Sequence, residues 1–142
     1  MNQIKWVNHY TTGENMQDIV VRDQWAYITE TWGVEVLNIR NPKGIYVETY
    51  LPYPNDNGTN SLTLNNDNYL YVIDGVSGLL VFDLNEPWNP QPVGSGYETD
   101  PDAASAVAAL DNYVYMVVGN NLKVLDVTRK NSPIPIGAGY TP

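Results

Sequence analysis

The chain has 142 residues, 43% hydrophobic and 16% charged, which suffices for one cored domain and is too apolar for a disordered one. A net charge of −9 with seven Lys or Arg residues argues against nucleic acid or an anionic membrane as a partner. No apolar run approaches the roughly 20 residues of a spanning helix, residues 1–6 have no signal-peptide core, and zero cysteines remove disulfides, thiolate nucleophiles and Cys-bound zinc without assigning a compartment.

In chain order, residues 4–10 read as a short strand ending on Tyr10. Strands are then expected over 18–23, 25–30, 34–39 and 45–50, each too short and too rich in β-branched or aromatic residues for a helix. Arg22-Asp23-Gln24 supplies a hairpin tip, Trp32-Gly33 a turn, and Pro42 a stop, because proline has no N–H for a ladder. The same series follows over 61–64, 69–74, 78–83 and 91–97, and again over 106–109, 113–118, 122–127 and 134–140. Pro92 and Pro135 fall on the fourth strand of their units, where an outer edge tolerates them and resists edge-to-edge aggregation.

The three units are copies. Asp23-Gln24-Trp25-Ala26-Tyr27-Ile28, Asp67-Asn68-Tyr69-Leu70-Tyr71-Val72 and Asp111-Asn112-Tyr113-Val114-Tyr115-Met116 place Tyr27, Tyr71 and Tyr115 at one period, and a fixed period filled with short strands is the pattern of a β-propeller blade. Val36-Leu37-Asn38, Val81-Phe82-Asp83 and Val124-Leu125-Asp126 recur on the third strands, followed by Asn41-Pro42, Asn89-Pro90 and Ser132-Pro133. The fold class expected is all-β, with residues 13–54, 55–99 and 100–142 as three four-stranded antiparallel blades and 1–12 as an extra outer strand.

Residues 67–84, Asn89-Pro90 and Val93-Gly94-Ser95-Gly96-Tyr97 resemble the LVIVD-type β-propeller repeat, and the resemblance extends over nearly the whole chain. It implies a repeat protein with no shared catalytic motif, often surface-associated, and hence a cell-surface or extracellular setting. The first unit departs most, with Thr31-Trp32-Gly33 in place of the Asp-Gly turn at 74–78.

Three blades cannot close a ring, since propellers close with about 4 to 8 and an arc would bare an apolar face at each end. Two chains are therefore expected to join head to tail as a homodimer, completing a six-bladed propeller. The surplus strand could clasp the partner's last blade, competing with or flanking the strand that ends at Tyr140, or the chain could be a segment of a longer array. Trp6, His9, Tyr10 and Tyr140 are the interface candidates.

No catalytic, cofactor or metal site is expected. His9 is the sole histidine and no nucleophile motif accompanies it. Asp23, Asp67 and Asp111 read as turn caps, and the loop opening Asn55-Asp56-Asn57-Gly58 has Asn66 at the twelfth position, where a calcium loop needs Glu. Tyr27, Tyr71 and Tyr115 read as packing residues between blades. Trp32 and Trp88 fall outside that register and are the candidate ligand contacts, together with Asp18 near the axis. The reading is a non-enzymatic scaffold or binding module whose loops meet a protein or other ligand; the alternative is a lectin-like module using Trp32 or Trp88.

Overall fold

The computed structural model describes residues 3–52, 59–75, 77–99 and 104–137. They form twelve strands: β1 (Met16–Arg22), β2 (Trp25–Glu30), β3 (Gly33–Asn38), β4 (Tyr46–Pro52), β5 (Thr59–Leu64), β6 (Tyr69–Asp74), β7 (Gly78–Asp83), β8 (Gln91–Pro92), β9 (Ala104–Leu110), β10 (Tyr113–Val118), β11 (Asn121–Asp126) and β12 (Ile134–Pro135). These make three separate four-stranded antiparallel sheets, each in simple sequential order. Blade 1 is β1 to β4, blade 2 is β5 to β8 and blade 3 is β9 to β12.

Hairpin chemistry sets each sheet. Asp23 and Asp111 adopt positive φ at two-residue tips that close Arg22 onto Trp25 and Leu110 onto Tyr113. Blade 2 has a longer tip over 65–68, with Asn68 taking the positive φ and Asp67 Oδ1 accepting from the Tyr69 N–H at 3.2 Å. The third-to-fourth strand connections are equal in all three blades: 39–45, 84–90 and 127–133. Within them, the N–H of Gly44, Asn89 and Ser132 donates to the carbonyl of Asn41, Glu86 and Arg129 respectively. Structurally, then, Pro42 is the counterpart of Pro87 and Lys130. The sequence alignment of Asn41-Pro42 with Asn89-Pro90 is three residues out of step.

The fourth strands differ from expectation. In blades 2 and 3 the paired stretch is cut to Gln91–Pro92 and Ile134–Pro135. Gly94 and Gly96 take positive φ, which breaks extended geometry before a single bridge re-forms between Leu79 and Tyr97. Residues 3–15 carry no strand, so the amino-terminal strand expected over 4–10 is absent as a paired element.

Two cores lie between the blades. Tyr27, Val34 and Val36 of blade 1 bury against Leu62, Leu70, Val72 and Phe82 of blade 2. The opposite face of blade 2, with Tyr71, Ile73, Leu79 and Val81, buries against Ala104, Val114, Met116 and Leu125 of blade 3. Because strand side chains alternate, each blade offers one face to its predecessor and the other to its successor.

The first strands β1, β5 and β9 run side by side and are linked in series. Asp18 Oδ2 accepts from Ser61 Oγ at 3.0 Å and from the Leu62 N–H at 3.1 Å. Ser61 Oγ accepts in turn from the Val107 N–H at 3.3 Å. Asp18, Ser61 and Ala106 occupy one repeat position, opposite Thr29, Ile73 and Val117. Only the third of them has no side-chain acceptor to pass on.

Candidate functional site

Blade 3 presents to solvent the face that blade 2 buries. Tyr71, Ile73, Leu79 and Val81 correspond to Tyr115, Val117, Leu122 and Val124. The first four are buried against a neighbour; Val117 and Leu122 are exposed, while Tyr115 and Val124 are half-buried. Ile134 and Ile136 extend the apolar surface along the outer edge.

Blade 1 ends the arc with the opposite face. Ala26, Ile28 and Leu37 form a small buried cluster under Tyr10, Ile39 and Ile45. Toward the axis that cover stops, leaving Ile19 and Val21 exposed and a hollow of about 190 Å³ bounded by Met16, Gln17, Asp18, Ile19 and Ile28. The two ends are thus complementary in kind: each is the half of a blade junction that the chain makes twice internally.

An acidic pair sits at one rim of the blade 1 face. Glu30 is 2% exposed. Its carboxyl is pushed up to about 7, first by burial, then by the charge of Glu35, against the lowering effect of a hydrogen bond with the Thr12 hydroxyl; Glu14 adds further repulsion. Tyr10 and Tyr50 border the pair, and both phenols are raised, by burial first and by these carboxylates second.

The blade junctions carry their own polar contacts. The Tyr27 hydroxyl donates to the Pro87 carbonyl at 2.8 Å, and burial pushes that phenol up to about 12. Tyr71 donates to Asp67, and burial with this bond raises its pKa strongly. Lys130 of blade 3 pairs with Asp67 at 2.7 Å and lies 5.2 Å from the centre of the Tyr69 ring. Arg22 donates to the Asn65 carbonyl, and Asn65 Nδ2 to the Asp111 carbonyl at 2.6 Å.

The sequence-chosen site residues scatter. Trp32 is exposed on the β2–β3 turn, beside Glu30 and Gly33, whereas Trp88 lies in the β7–β8 connection with its ring 6.4 Å from that of Trp25. Those locations are opposite ends of β2, a strand length of roughly 17 Å, so the two indoles do not share a site. The Asp18 carboxylate is engaged between blades 1 and 2. Trp6 and His9 are exposed with rings 6.1 Å apart, Tyr10 packs on blade 1, and Tyr140 lies outside the described residues, as does 55–58. Among the described residues, no three His, Asp or Glu side chains are grouped to hold a metal ion.

Sequence reading missed Glu30 and Lys130. Glu30 had a visible signal, a carboxylate at the end of the otherwise uncharged strand Trp25–Glu30. Lys130 had one only after the connection lengths were matched, since proline stands at the equivalent place in the other blades.

Comparison with known proteins agrees with the repeat architecture. The computationally designed Ika4 protein is similar over 99% of this chain and 82% of its own length, at 14% identity and a TM-score of 0.71. The N-terminal domain of Nup159 is similar over 87% of this chain and 30% of its own, at 9% identity and a TM-score of 0.52. No curated protein sequence matches significantly. The LVIVD repeat matches residues 65–99 and 102–139, just over half of the chain; the first span takes in β6 to β8 of blade 2 and the second takes in β9 to β12 of blade 3. A propeller-like, all-β repeat protein with this match has one assignment: the chain belongs to the LVIVD repeat family.

Proposed function

We propose that the chain is a non-enzymatic binding module that completes itself by pairing. Two copies join head to tail, blade 3 of each against blade 1 of the other, and close a six-bladed ring whose loop rims meet a protein or other ligand. The observation that carries this reading is the exposure of Val117 and Leu122 where Ile73 and Leu79 are wholly buried. A repeat junction made twice within the chain is available to be made again between chains, and a second copy supplies its other half. Two copies reach six blades, inside the usual range of about 4 to 8; three would reach nine.

The non-enzymatic part rests on inventory: one histidine, no cysteine, and no motif combining nucleophile, base and orienting group. The acidic charge favours a partner other than nucleic acid or an anionic membrane, and the family resemblance favours a surface or extracellular setting.

Light scattering tests the ring. A particle of twice the 15.9 kDa chain mass at micromolar concentration is expected. Val117→Asp, which places a charge on the open face and touches no internal junction, returns the mass to one chain while circular dichroism stays unchanged. An intact chain that remains a monomer refutes the proposal.

A further inference from the structure

Residues 3–12 lie on blade 1 in a particular way. Tyr10 packs on Ala26, Ile28 and Leu37, and Asn8 Nδ2 donates to the Pro42 carbonyl at 3.0 Å. The equivalent connection of blade 2 is met by the fourth strand of the preceding blade: Thr49 Oγ1 donates to the Trp88 carbonyl at 2.6 Å. At the next junction Gly94, just past β8, lies against Asn131, and Tyr97 packs into the core between blades 2 and 3. Tyr10 stands on blade 1 as Tyr97 stands at the blade 3 junction. The segment therefore occupies the place of a fourth strand whose own blade is missing.

Its remaining features fit an unfinished strand. Ile4, Trp6 and Val7 are exposed, and residues 3–10 belong to no sheet. No proline interrupts 4–10, so every residue there has an amide donor for a ladder. The strand that now holds the edge of blade 3 is weaker. β12 contributes two pairs, Leu125 with Pro135 and Asp126 with Ile134, Pro135 has no N–H to donate, and just past it the Ile136 N–H donates to the Val124 carbonyl at 2.8 Å.

We infer that residues 4–10 of each copy pair with β11 of the other as the outer strand of its third blade, taking the place that β12 holds in the single chain. This strand exchange rests on the ring proposed above. It would replace a two-residue, proline-bearing edge by a longer one with a full set of donors, and it would tie each seam with backbone hydrogen bonds as well as apolar contact. Matching Asn8 to Thr49, whose hydrogen bond to the next blade's connection it repeats, sets Asn8 opposite Val124 of the other copy, as Thr49 stands opposite Val36, and Tyr10 opposite Leu122, as Leu51 stands opposite Val34.

Two measurements test it. Deleting residues 1–12 should weaken dimerisation at least about ten-fold in sedimentation equilibrium, the equivalent of about 1.4 kcal/mol. In a full-length chain free of other cysteines, Asn8→Cys with Val124→Cys should give a covalent dimer on mild oxidation, and neither single variant should give the same doubly linked product. A dimer of unchanged or greater affinity after the deletion, or a dimer that yields no cross-link between copies, overturns the exchange and leaves the ring standing. A monomeric intact chain removes the ring, and the exchange with it.

Discussion

Replacing Glu30 by Gln should abolish most of a fall in stability between pH 5 and pH 8. Glu30 is almost wholly buried on blade 1, and its carboxyl is raised from 4.5 to about 7 by burial first and by Glu35 second. Between those values the folded chain binds more protons than the unfolded one, so stability is fully present below pH 4.5 and declines as pH rises through 7. Raising the carboxyl from 4.5 to about 7 corresponds to roughly 3 kcal/mol of stability at low pH, most of which is lost between pH 5 and pH 8. Urea denaturation at fixed protein concentration, at both pH values, reads this directly. Glutamine keeps the size and hydrogen-bonding capacity of the protonated acid, so Glu30→Gln should show a much flatter profile, while titrations elsewhere are common to both proteins. An equal fall in the variant would refute the assignment of the pH dependence to this carboxyl.

Other outcomes follow from the same geometry. Lys130→Met removes the cation beside the partly buried Asp67, leaving its carboxylate only the Tyr71 hydroxyl and the Tyr69 N–H, and should cost about 1–3 kcal/mol in chemical denaturation, more than an exposed ion pair would. Gly96→Ala would place a Cβ about 2.1 Å from the Leu79 carbonyl at a φ of +72°, and should lower the melting temperature by several degrees, with a cost of about 1–3 kcal/mol. Leu125→Ala opens a cavity in the core between blades 2 and 3 and should cost about 2–5 kcal/mol, whereas Leu122→Ala, on the open face, should cost little in the monomer and show instead as weaker dimerisation. Calcium should leave the melting temperature unchanged, because Asp18 already accepts from Ser61 and Leu62.

Most of the architecture could be read before the structure, and for a physical reason. β2, β6, β7 and β10 match their expected limits because alternating apolar residues between turn formers leave little choice of register. β8 and β12 stop early because proline and positive-φ glycines act against pairing, a local effect that a run of apolar residues concealed. The amino-terminal segment has the composition of a strand and no strand to pair with; composition carries no information about whether a partner is present. The open faces followed from the period alone, but the separation of Trp32 from Trp88 required knowing which end of β2 each one neighbours. Lys130 stayed hidden because its two structural counterparts are prolines, so the repeat offered nothing to compare.

The relay through Asp18 and Ser61 ends at Ala106, which offers nothing to the next blade. In a closed ring, the hub would be stitched inside each half and unstitched where the halves meet. Such a particle has built-in parting lines at its hub: mixed populations carrying different labels should trade halves with each third blade giving up no more than its outer strand, and a chain with altered rims could be paired with an unaltered one to give a ring with two unlike sides.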